Sequence, residues 1–335
     1  MEFVDNKQVD LNSLRNISFD LFLYGDNKTQ RSLFFRDNFK PNATARVKIS
    51  PGYNPPADII GNIIRDLVQR NSNEITLPID LDEKFIHMLF DALCNSGFCR
   101  NNEILIDYSC ISPNWNAAII NYLIKNDNAQ ERLFITYVYT PSRFFPPAQK
   151  GITSFIPELM VGREKINDKR KPLSLILGLG YHQDAAMKII DAFKPDKLRV
   201  LISDPAFDPD FFCTVKKLNK KLLKKVPPEN IFYYPAGNPF ETKKIITDIV
   251  LPLRCTSHAV IAPLGPKILN LCSLLVYAKY PDVSVYMAGR EKYPPVHDQL
   301  PQQEPVLIRV EYQAEDDENL LTPHNFSDSN PGSEI

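Results

Sequence analysis

Short apolar runs alternate along this chain with segments whose apolar residues recur at helical spacing. Asn16–Tyr24, Thr44–Ser50, Glu74–Leu77, Glu103–Asp107 and Leu133–Tyr139 read as strands. Between them, Ala57–Arg70 places Ile59, Ile60, Ile63, Ile64, Leu67 and Val68 on one helical stripe. Asp82–Cys94 does the same with Phe85, Met88, Leu89 and Leu93. After Pro146–Lys171 the alternation resumes. Strands are predicted at Pro172–Leu179, Lys197–Ser203, Asn230–Tyr234, Ala259–Ala262 and Val283–Met287. Helices are predicted to Phe193 and over Phe211–Lys225, Phe240–Leu253 and Ile268–Lys279. Pro305–Tyr312 reads as a last strand, antiparallel at an edge, and 313–335 as a disordered acidic tail.

The two stretches answer each other. Glu103–Asn116 is an apolar strand, a polar turn and a helix start, and so is His258–Lys267. Both lead into another strand, and then into Thr140–Pro147 or Ala288–Pro295, each ending Pro-Pro. Upstream, Phe19–Gln30 matches Leu173–Asp184, and Val47–Pro55 matches Val200–Pro209. Strands alternating with helices give parallel, doubly wound sheets. The expected fold is therefore α/β: two pseudo-repeated Rossmann-like three-layer (α/β/α) domains with mostly parallel sheets. They are expected at 12–147 and 172–312, joined by a linker at 148–171 that could be a hairpin or a crossing loop.

Composition narrows this. The 335 residues are 44% hydrophobic and 24% charged, enough for a sizeable core. The net charge of −1 gives no global field for nucleic acid. Six cysteines show neither a Cys-x-x-Cys pair nor zinc spacing, so no metal is expected and a reducing cytoplasm is the simple location. Met1–Asn12 is polar, so no secretory leader is expected. No apolar run is long enough to span a membrane.

In open parallel sheets, ligands bind beyond the carboxyl ends of the strands. The candidate ligand-binding residues are those of the turns there: Asp26, Lys28, Ser50, Tyr53, Ser109, Ser112 and Trp115 in the first half, and Tyr181, His182, Ser203, Gly265 and Lys267 in the second. Helix starts favour anions, lysines add charge, and Trp115, Tyr53, Tyr181 and Phe207 offer faces for a base. Trp115 also reads as core, and Lys267 sits where the helix dipole disfavours a cation. Gly178-Leu179-Gly180 begins like a dinucleotide loop, but Gln183 holds the third glycine position, so no cofactor is expected. Ser203–Phe207 resembles the Asp-Pro-Pro-Tyr loop of amino-methyltransferases, without the second proline. His182 and Asp184 are the only candidates for acid–base catalysis, and whether the chain is an enzyme stays open. Lys216, Lys217, Lys220, Lys221, Lys224 and Lys225 put a basic face on one helix, suited to nucleic acid, to an acidic partner, or simply to solvent.

At the paired turns Ser109–Trp115 and Ala262–Lys267 the chain resembles the CARF and SAVED nucleotide-sensing domains of prokaryotic defence systems. Gly265 and Lys267 match that family's Gly/Lys turn, while the first half has Ser112-Pro113-Asn114 there. The resemblance implies a cytoplasmic sensor, with a nucleotide or oligonucleotide held between two Rossmann-like halves and a separate effector protein as partner, in anti-phage defence. The alternatives are a nucleotide- or nucleic-acid-processing enzyme and a non-catalytic structural subunit.

Overall fold

The computed structural model describes residues 2–69, 71–95, 101–125, 132–145, 155–161, 171–181, 183–290, 300–302 and 304–313. It contains two sheets. The first runs β1 (Glu2–Gln8), β13 (Val306–Gln313), β6 (Arg132–Tyr139), β5 (Glu103–Asp107), β2 (Phe19–Gly25), β3 (Ala43–Ser50), β4 (Glu74–Pro78). The second runs β10 (Ile231–Tyr234), β9 (Lys197–Ser203), β8 (Leu173–Gly178), β11 (His258–Pro263), β12 (Ser284–Arg290), β7 (Phe155–Val161). In each, five parallel strands follow one order, with the first strand central and the fourth at its other side. An antiparallel strand then closes the side of the fifth. The expected α/β fold with mostly parallel sheets is the observed one, and the two halves share a topology.

The central strands are buried because both faces are covered. In β2, Phe22 and Tyr24 face α1 (Gln30–Phe39), together with Phe35, Leu105 and Val138. Leu21 and Leu23 face the other way, into a core that both sheets share. That core takes Ile104 and Ile106 from the first sheet and Ile176, Leu201 and Ile261 from the second. Between the sheets lie α3 (Glu83–Asn95), α4 (Pro113–Lys125), α8 (Pro239–Thr256) and α9 (Lys267–Lys279), and α2 (Ala57–Val68) adds Ile60, Ile64 and Leu67. Leu175, Leu177, Val200 and Val260 form a third core with α5 (Gln183–Phe193), α6 (Pro209–Leu218) and α7 (Lys220–Leu223). The order of layers is thus helix, sheet, helix, sheet, helix, with the middle layer common to both lobes. Fully buried aliphatic side chains contribute about 1.5–3 kcal/mol each, so this layer makes the halves one body.

Several elements differ from the expectation. Residues 1–11 were expected to lie outside the domains. Instead β1 pairs antiparallel with β13, and Lys243 of α8 reaches across to donate to Asn6 Oδ1 at 2.8 Å, over the Phe3 ring. The last strand was expected at an edge of the second domain. β13 lies inside the first sheet between β6 and β1, where Arg309 pairs with Glu103. The expected linker contains β7, which pairs antiparallel with β12. The single helix expected over Phe211–Lys225 is two, α6 and α7, with Asn219 between them. Its amide leaves the helix surface to donate to the Gly180 carbonyl at 2.9 Å. The tail from 314 onward lies outside the described residues. No helix among the described residues is long and apolar enough to cross a membrane.

Candidate functional site

The strand ends of the two lobes meet where α4 packs on α9. Their glycines explain how the turns close. A β-carbon on Gly25, at the end of β2, would lie 2.7 Å from the Cys110 carbonyl carbon. One on Gly180, just past β8, would run into the Leu264 carbonyl oxygen. Each turn after the fourth parallel strand therefore lies across the end of the central strand, in the crevice where such folds often hold a ligand. Glycine at these two positions admits a neighbouring backbone.

Lys267 opens α9, where the positive helix terminus disfavours it. Its ammonium reaches into the other lobe and donates to the carbonyls of Ser109 (2.9 Å), Ile111 (2.7 Å) and Tyr108 (3.5 Å). Arg31, second residue of α1 and 4% exposed, donates from Nη2 to that same Ser109 carbonyl, and its guanidinium lies 5.7 Å from the Tyr139 ring centroid. Two cations from two lobes thus converge on one oxygen. Beneath them Asp107 is buried at the end of β5. It accepts from the Ser109 N–H at 3.0 Å, and its other oxygen has no hydrogen-bond partner among the described residues. Burial raises its pKa from 3.8 to about 6, against the opposing pull of the Ser109 hydrogen bonds and of Arg31 and Lys267. Ser109 Oγ accepts from the Thr140 N–H at 2.7 Å, tying this turn to the end of β6.

The remaining candidates divide. Ser112 caps the start of α4 by accepting from the Asn114 N–H at 3.2 Å. Trp115 does not present the stacking face expected of it and is the core residue it also read as: it is fully buried and its indole donates to the Ile79 carbonyl at 3.0 Å, so no base can reach its face in this conformation. Ser203 ends β9 buried beside Tyr234, and a β-carbon on Gly265 would lie 2.7 Å from that tyrosine's hydroxyl. Gly265 thus lets the β11–α9 turn pass over Tyr234. Tyr181 is half-buried against Phe144 and Phe211, and Phe207 packs on Tyr139 at 5.7 Å, so aromatics bridge the lobes. Asp26 accepts from the Lys28 N–H at 3.0 Å in a local turn, with Lys28 exposed in the left-handed region. Ser50 ends β3, and Tyr53 is exposed beyond it. Asp184 is exposed in the first turn of α5, and His182 lies outside the described residues.

Arg31, Asp107 and Thr140 were missed in the sequence. The reasoning that singled out Lys267, a cation where a helix begins after a strand, applies equally to Arg31. Asp107 shows as an acid ending the run Ile-Leu-Ile. Among the described residues, no group of three or more His, Cys, Asp and Glu side chains could hold a metal ion. No protein-family model matches the chain, and no curated protein matches it.

Proposed function

We propose that the chain is a cytoplasmic sensor or regulatory subunit that binds a nucleotide-like ligand at the inter-lobe seam and signals to a separate effector protein, as in anti-phage defence. The observation that carries this reading is the convergence of Arg31 and Lys267 on the Ser109 carbonyl. A phosphate entering there offers both cations a charged acceptor in place of a neutral one, and charge-assisted bonds are roughly twice as strong. Because the two cations belong to different lobes, exchanging their acceptor moves the 108–112 turn and the start of α9 together. That coupled movement is the signal. Asp107 repels such an anion when ionised, so affinity rises as pH falls through about 6.

The test is native mass spectrometry of gently purified protein, with nucleotide analysis of the released material, followed by titration with cyclic and linear oligonucleotides. The expected result is a retained or titratable nucleotide whose affinity falls at least tenfold in Lys267→Gln. An empty chain that gains no thermal stability from any nucleotide tested removes the reading.

A further inference from the structure

The outer face of the second lobe carries a further feature, on the solvent side of α6 and α7. The backbone hydrogen bonds Asn219 N–H to Val215 O, Leu223 N–H to Asn219 O and Lys224 N–H to Lys220 O keep the helical register across the break between α6 and α7. The six lysines therefore stand in two rows, Lys216-Lys220-Lys224 and Lys217-Lys221-Lys225. Val215, Asn219, Leu222 and Val226 are buried on the opposite side. All six are exposed, and none forms an ion pair with a carboxylate among the described residues. The stretch 209–234 contains only two acids, Asp210 in the first turn of α6 and Glu229. The rows run for roughly 14 Å at 1.5 Å per residue. Six residues after Lys225 the chain enters the edge strand β10. Ile231 packs in the same outer core as Val215 and Leu222, so Tyr233, two residues on, shares that face, and it is 46% exposed.

We propose that this face binds single-stranded nucleic acid, with the lysine rows on the backbone phosphates and an unpaired base stacked on Tyr233. Unpaired like charges in rows are relieved by a polyanion, and an exposed ring on the same outer face of the lobe fits a strand whose bases are free to stack. An acidic protein would satisfy the lysines and leave the tyrosine unexplained. A duplex hides the base faces that the ring would use.

The full chain is titrated with labelled oligothymidylate over a range of salt concentrations. Single strands lose about 0.7 in the slope of log K against log salt for each phosphate contact. Replacing Lys220, Lys221 and Lys224 together by Gln is expected to reduce the slope by about 2 and the affinity at least tenfold. Tyr233→Ala is expected to weaken single-strand binding fivefold or more and duplex binding less than twofold. All four side chains are at the surface, so the variants retain the fold. An unchanged slope in the triple variant, equal competition by polyglutamate, or tighter binding of duplex than of single strand each overturns the proposal.

Discussion

In the first lobe β5 ends in Asp107 and a turn at 108–112 leads to α4; in the second, β11 ends in Ala262-Pro263 and the shorter turn 264–266 leads to α9. Both turns cross the end of a central strand, and both rely on a glycine there. They differ in what they hold. The longer turn presents three carbonyls and has a carboxylate beneath it, and the shorter one ends in the lysine that fills those carbonyls. The third residue of each helix differs too: Trp115 in α4 and Leu269 in α9, both fully buried. One lobe supplies acceptors and the other the cation. A repeated fold has thus become two unlike halves of one joint, and the asymmetry lies in side chains while the sheet order is kept.

The largest expected effect breaks the packing side of this comparison. Trp115→Ala removes a fully buried indole and its bond to Ile79, and is expected to cost about 3–5 kcal/mol by urea unfolding. Leu269→Ala is expected to cost no more than that. Because the lobes share a core, both variants should unfold in a single transition. Two separate transitions would show that the middle layer does not bind the halves into one unit.

Asp107 tests the electrostatic side. Its folded pKa lies above its unfolded one, so between about pH 4 and 6 the folded state keeps a proton that the unfolded state releases. Its contribution is therefore favourable in acid, is lost as pH rises through that window, and is level above it. At 1.36 kcal/mol per pKa unit the loss is on the order of 3 kcal/mol. Asp107→Asn does not titrate, so its stability relative to the parent is expected to rise by that amount from pH 4 to pH 7. A difference that stays flat across the window would mean that Asp107 is already balanced by Arg31 and Lys267.

The lobes were legible in the sequence to different depths, for physical reasons. Continuous apolar runs such as Leu173–Leu179 exposed the central strands because both faces are covered. β1 left no such trace. It is an edge strand with a register shift between Phe3 and Asp5, which breaks the alternation that betrays a strand. β13 alternates and was visible as a strand, but its sheet was not, since its partner β6 lies far back in the chain. Asn219 divides a helix with neither Gly nor Pro, because a tertiary bond to Gly180 draws its side chain inward. At the site, Lys267 stood out as a cation at the wrong end of a helix. That its partners are carbonyls 156 to 159 residues away is a fact of the fold that no local spacing encodes.

The glycines give a smaller, more symmetrical effect. Gly25→Ala and Gly180→Ala each push a methyl against a neighbouring turn's backbone, and overpacking of this kind costs about 1–3 kcal/mol. If the crossings are equivalent, the two losses should agree within about 0.5 kcal/mol, the usual scatter of independent sites. The closer approach at Gly180 argues for the larger loss there, as does the Asn219 amide, which fixes the Gly180 carbonyl and limits how far the turn can yield. Adding Asn219→Ala to Gly180→Ala separates these causes. If the amide's hold makes the site unforgiving, the double variant will be destabilised by less than the sum of the two single changes, because the turn is then able to retreat from the methyl.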